Sequence, residues 1–240
     1  MKPSFQLAYR NLIGAGLRTW LNVGILTFTF LVILFYNGLL DGWNLQAKRD
    51  AINWEFGCGQ FHYKDYDPYN PFSLQEAHGK FDEINTKGLT PLLMRPATIY
   101  PNGRMMAITL KGLPKAQRLL KIPVNQLNNL EGTIPVAIGK RMARAAKLSL
   151  GDEISLRWRD KNGTFDAENV KVAAIFNTTI SSVDQGQIWM TLEDLWEITA
   201  MHNEATILIA DLPRPDNLFE DWNYVSQEGL LQNINDIIEV

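Results

Sequence analysis

One cysteine, Cys58, is all that 240 residues contain. A lone thiol excludes an internal disulfide framework and any multi-cysteine zinc site, and it leaves the redox compartment open. A basic excess is also missing: 23 Lys and Arg stand against 26 Asp and Glu, a formal charge of −3. Without clustered Lys and Arg over a face there is no electrostatic footprint for nucleic acid. No segment reads GxxxxGK[ST], so the chain carries no P-loop. No convergent set of acid, base and nucleophile can be assembled, which argues against an enzyme, and nothing in the sequence calls for a cofactor.

Charge is absent from Thr19 to Leu40, a stretch dominated by Leu, Ile, Val and Phe. About 20 apolar residues rising about 1.5 Å each span a hydrocarbon core of roughly 30 Å. Trp20 and Trp43 bracket the run at a helical separation of roughly 35 Å, which assigns both indoles to headgroup depth. A cleaved signal peptide has a shorter core and a small-x-small site. A buried core helix shows a polar stripe, which Asn22, Thr27, Thr29 and Asn37 do not form. The reading is therefore a spanning helix. Lys2, Arg10 and Arg18 precede it, so the N-terminus is expected inside the cell and everything after about residue 44 outside. Before the span, Phe5, Ala8, Tyr9, Leu12 and Ile13 recur at helical spacing, with Ser4 as a cap and Gly14 and Gly16 as breakers, which predicts an amphipathic helix on the inner surface.

Beyond the span, alternation of Trp54, Phe56 and Cys58 predicts a strand running towards Tyr63, with the thiol buried in it. Asp67-Pro68 and Asn70-Pro71 mark turns, after which Ser73 caps an expected helix to about Ile84 with Glu76 at the capping-box position. Strands near 92–100 and 105–111 are joined by Pro101-Asn102-Gly103. A second block follows: strand 134–138, helix 139–147, strand 153–159, a turn at Lys161-Asn162-Gly163 and strand 169–176. Strand 187–190 precedes a helix at 192–199 capped by Thr191 with Asp194 at N3, and strands at 205–210 and 222–225 complete an α+β exterior. Ser226 then caps a helix whose face carries Leu230, Leu231, Ile234, Ile237 and Ile238, a stalk that stops at Val240.

Several polar groupings have two readings. His62, Asp65, Asp67 and His78 fit no metal-ligand spacing and are divided by prolines, so surface turn residues are the better account. Lys140, Arg144 and Lys147 form a basic stripe that either contacts an acidic partner or lipid headgroups, or is a solvated helix face. Tyr63, Tyr66, Tyr69 and Phe72 are an aromatic run suited to core and turn packing, or to gripping an apolar chain. Asn162 and Asn177 stand in formal glycosylation sequons.

The opening LAYRNLIGAGLRTWLNVGILTFTFLVILFYNGLLDGW resembles the cytoplasmic helix and first span of FtsX-like ABC permeases, the family of lipoprotein-release (LolC/LolE-type) and MacB-type subunits. IPVAIGKRMARAAKLSLGDEISLRWRDKNG, followed by VKVAAIFNTTISSVDQGQIWMTLEDL, is similar to that family's MacB-like periplasmic core domain. The resemblance covers nearly the whole chain. It implies residues 1–44 as amphipathic helix and span, 45–226 as the periplasmic core (Porter-like 45–112 and 203–226 around a Sabre-like insert 113–202), and 227–240 as the stalk. Family members carry three further spans, which implies a chain truncated before them or spans supplied by another polypeptide. The function implied is mechanotransmission in the bacterial inner membrane. A separate cytoplasmic ABC ATPase would act through Tyr9, Arg10 and Asn11, a second permease copy or paralogue would pair with the chain, and the exterior would meet a periplasmic partner or lipoprotein. The alternative is a single-span tether that docks a partner without ATP coupling.

Overall fold

The structure, a computed structural model, describes residues 3–14, 16–81, 87–128, 132–213 and 220–238. The chain divides into two compact units, residues 1–47 and 48–240.

The first unit holds α1 (Pro3–Gly14) and most of α2 (Gly16–Ala51). Gly16 starts α2 at φ 70, a left-handed conformation that favours glycine and separates the two helices where the sequence predicts a break. Leu21, Ile25, Phe28, Leu31, Phe35 and Leu39 are all more than half exposed along α2. Such a surface is costly in water and neutral in lipid, and the helix is long and apolar enough to cross a bilayer.

The second unit begins with the end of α2 and a π-helical turn at Ile52–Phe56, where a strand was expected. Trp54 is turned onto Phe176, with ring centroids 5.7 Å apart, so its burial comes from stacking and not from strand alternation. Gly57 ends the turn at φ 59, ψ −141, and a Cβ there would lie 2.6 Å from Ile209 Cγ2, so two constraints select glycine. Cys58 is half-buried in the following turn, not buried in a strand.

The remaining elements are β1 (Gly59–Tyr63), β2 (Gly79–Lys80), β3 (Leu89–Ile99), β4 (Met106–Leu113), β5 (Ile134–Gly139), α3 (Lys140–Ala146), β6 (Glu153–Arg159), β7 (Phe165–Phe176), α4 (Ser181–Asp184), β8 (Gln187–Thr191), α5 (Leu192–Thr199), β9 (Glu204–Ala205), β10 (Ile207–Ala210), β11 (Trp222–Ser226) and α6 (Gln227–Ile238). The expected helix from Ser73 is instead a 3-10 turn at Pro71–Gln75. Its cap is Asn70, whose Oδ1 accepts from the Phe72 N–H, while the Ser73 hydroxyl is taken up by the Asp67 backbone. The far end of that expected helix, at Ile84, lies outside the described residues. In α6 the Ser226 hydroxyl accepts from the Gly229 N–H, as a cap should. The side chains of Ile234, Ile237 and Ile238, and Val240 itself, lie outside what is described.

The main sheet runs β11-β1-β10-β3-β4-β8-β5-β7-β6, and β6 returns to pair with β3, closing β3, β4, β8, β5, β7 and β6 into a ring. β3 makes this possible by changing neighbours along its length. Leu89–Leu92 pair with β10, whereas Ala97–Ile99 pair with Trp158–Leu156 of β6. Closure leaves each ring strand paired on both sides, whereas β11, with β1 as its one strand partner among the described residues, remains an edge. Inward residues such as Leu93, Ile99, Leu110, Val136, Leu156, Val172 and Ile188 are fully buried and form one core, packed with Met142 of α3 and Leu195 of α5. A second core lies on the outer face, where Leu92, Met94, Trp189, Ile207 and Ile209 meet Leu120, Ile122, Val124 and Leu127.

Candidate functional site

Register across the sheet places one row of side chains on its outer face. His62 is opposite Ile207, and Ile207 is opposite Leu92. Met94 is opposite Lys111, and Lys111 is opposite Trp189. Strand alternation sends these side chains away from the ring interior. Together with Glu55, Tyr66 and the Thr179–Ser182 segment they wall a cavity of about 630 Å³. That volume lies within the roughly 300–1,000 Å³ of ligand pockets.

The cavity contains one basic side chain that is nearly out of solvent. Lys111 is 6% exposed, and its Nζ lies 5.0 Å from the Trp189 ring centroid. Among the described residues it makes no hydrogen bond. Burial pushes its pKa down and the Glu55 carboxylate opposes that shift. The neighbouring polar groups are neutral or engaged. Burial lowers His62 to about 4, so its ring is neutral at physiological pH, and its Nε2 is 2.9 Å from Gln60 Oε1. Burial, then Glu55 and Asp67, push Tyr66 up to about 12. Glu55 accepts from the Ser182 hydroxyl at 2.7 Å. Of the aromatic run, Tyr66 meets His62 edge-on and Tyr69 lines the cavity, whereas Tyr63 packs on Trp222 and Phe72 is exposed.

Two further polar clusters hold the fold. Glu204, whose side chain is 3% exposed, receives Lys161 on Oε1 and His78 Nδ1 on Oε2 at 2.6 Å. Burial works to raise its pKa, but the hydrogen bonds and charges of Lys161 and His78 outweigh that and lower it. Near it, the buried Arg95 guanidinium donates to the carbonyls of Leu74 and Gln75. In the second cluster, the buried Asp184 accepts from the Arg141 N–H and guanidinium at the first turn of α3.

The residues singled out from sequence are dispersed. Tyr9, Arg10 and Asn11 lie exposed on α1; Trp20 and Trp43 are exposed on α2, at 58% and 70%. Lys140 and Arg144 are exposed on α3, and Lys147 follows it in a left-handed C-cap at φ 55. His62 and His78 belong to different clusters, one beside Gln60 and the other on Glu204. Among the described residues no group of three or more His, Cys, Asp or Glu is placed to hold a metal. Lys111 is absent from the sequence reading because a lysine between apolar residues of a strand has the pattern of a solvent-facing position. The one available signal is Gly112-Leu113-Pro114 followed by an apolar segment that folds back over that face.

No protein-family model and no curated protein matches the chain. Among solved structures, it is similar to the extracellular domain of the noncanonical ABC-type transporter YknZ from Gram-positive bacteria, at 15% identity and a TM-score of 0.38, over 62% of this chain and 80% of that one.

Proposed function

We propose that the chain is a non-catalytic, membrane-anchored subunit of an ABC permease, working with an ATPase on a separate polypeptide and presenting residues 48–240 on the extracytoplasmic side. The observation that carries this reading is the architecture of the segments that resemble the FtsX-like family. Strand β5, helix α3, the Gly151-Asp152 turn, the β6–β7 hairpin and β8 are consecutive parts of one closed sheet. Asp184, the acid of the last segment, clamps the helix of the first. An apolar helix of spanning length precedes them, with Lys2, Arg10 and Arg18 on its amino-terminal side.

In this reading the N-terminus is cytoplasmic in the bacterial inner membrane, and a second permease copy or paralogue completes the assembly. The outer domain does mechanical work on a lipoprotein, an efflux substrate or an envelope partner. The exposed face of α1 at Tyr9–Asn11 is the contact with the ATPase, because an unburied amphipathic helix needs a covering surface. The test is co-purification of the full chain from its native membranes, with ABC ATPase subunits sought among the captured proteins. Capture of an ATPase that is lost on replacing Tyr9 and Arg10 by alanine supports coupling. Capture of an extracytoplasmic partner alone, indifferent to those changes, would establish the chain as a passive tether.

A further inference from the structure

We propose that the cavity beside Lys111 is a binding site for a single-chain anionic amphiphile, its carboxylate or phosphate head paired with Lys111 and its hydrocarbon chain lying over Trp189, Leu92, Met94 and Ile207. The proposal does not depend on ATP coupling. It starts from a cost: the Lys111 side chain is 6% exposed and makes no hydrogen bond among the described residues, so its ammonium form keeps only the hydration that the cavity admits. The Trp189 ring face offers partial compensation at 5.0 Å. An anion entering the cavity supplies the rest.

The walls set the other half of the ligand. Leu92, Met94 and Ile207 form an apolar surface on β3 and β10, Trp189 extends it on the far side of Lys111, and the His62 ring opposite Ile207 is neutral at physiological pH. An alkyl chain gains from every methylene buried against that surface, about 0.8 kcal/mol each. Charge count narrows the head further. Among the described residues Lys111 is the one Lys or Arg in the wall, and the Glu55 carboxylate lies within its electrostatic reach. One ammonium pairs with a single anionic head, and because the Glu55 carboxylate already balances it in net charge, a polyphosphate would be repelled. Because an anion beside Lys111 favours its charged form, binding offsets the downward pull of burial.

The experiment uses the full chain in nanodiscs of zwitterionic lipid with a long-chain fatty acid carrying a diazirine, illuminated and mapped by peptide mass spectrometry. Label is expected in the peptides of β4 and β8. It should fall about tenfold in Lys111→Met, the loss of one charge-assisted contact, and persist in Lys111→Arg. Lys111→Met exchanges a buried amine for an apolar chain of similar length, so its thermal midpoint should match or exceed that of the native chain. Competition by unlabelled fatty acid or by lysophosphatidylglycerol supports the proposal and identifies a carboxylate or a phosphate head. Label confined to α2, labelling unchanged in Lys111→Met, or equal competition by inorganic phosphate alone would overturn it.

Discussion

Asp184 Oδ1 accepts the backbone N–H of Arg141 at 2.8 Å while its Oδ2 accepts the Arg141 guanidinium at 3.1 Å. A carboxylate 1% exposed thus satisfies a free N–H at the start of α3 and opposes the positive end of that helix. The same guanidinium reaches on to the carbonyls of Thr178 and Thr179, joining the start of α3 to the segment before α4. The approach depends on Gly139, where any Cβ would lie 1.7 Å from Asp184 Oδ1.

Asp184→Ala should destabilise the second unit by about 2–3 kcal/mol, the loss of a buried charge-assisted cap. For a unit of this size the thermal midpoint should drop by about 4–12 °C, read by calorimetry or circular dichroism. Gly139→Ala should produce a comparable loss, because the clash displaces the same carboxylate.

The sequence makes local chemistry legible and leaves closure hidden. Pro101-Asn102-Gly103 is readable because only residues tolerant of positive φ suit that turn, and Asn102 and Gly103 adopt φ 51 and φ 75. Thr191 is readable as a cap with Asp194 as its partner: the Asp194 N–H donates to Thr191 Oγ1 at 3.1 Å and the Thr191 hydroxyl donates to Asp194 Oδ2 at 2.6 Å. Trp54 and Phe56 mislead because alternation over so few residues does not distinguish a strand from a wide helical turn. Ser73 misleads because a hydroxyl's partner is fixed by the fold, and here Asp67 takes it. The change of neighbour along β3 follows from contacts distant in sequence, which no local pattern encodes. The cavity inherits that blindness, since Lys111, Trp189 and Ile207 become neighbours only through the sheet order.

Leu31 lies near the middle of the interval between Trp20 and Trp43 and is 58% exposed. If α2 crosses a bilayer, an arginine there costs about 3 kcal/mol of insertion. Leu31→Arg should therefore shift a measurable share of the chain into the soluble fraction on alkaline carbonate extraction. Leu45→Arg, past Trp43, should extract like the native chain. Equal retention of both variants would count against a span centred on Leu31.

Glu204→Gln should cost about 3 kcal/mol at neutral pH, since it leaves Lys161 and His78 facing an uncharged amide. The sign of the pH effect follows from the lowered carboxyl pKa. Its stabilisation is complete above the ordinary glutamate value of 4.5 and fades as pH falls through the lower folded value. Denaturant melts should show the native chain and the variant converging in acid and separating above pH 5.

His62 makes the opposite kind of contribution, because burial keeps it neutral instead of fixing a charge. Its folded pKa of about 4 lies below the ordinary 6.5, so between those values the unfolded chain binds a proton that the folded chain refuses. Stability from this site is complete above pH 6.5 and declines as pH falls towards 4, at up to about 1.4 kcal/mol per pH unit. His62→Phe removes the titration and leaves Gln60 Oε1 without its 2.9 Å partner, so it should lower stability at pH 7.5 while flattening the slope between pH 6.5 and 5. Denaturant melts at those three pH values separate the two effects. A native chain whose stability is flat across that interval would mean that water reaches the ring, which would also leave the cavity beside Lys111 wetter than its apolar walls imply.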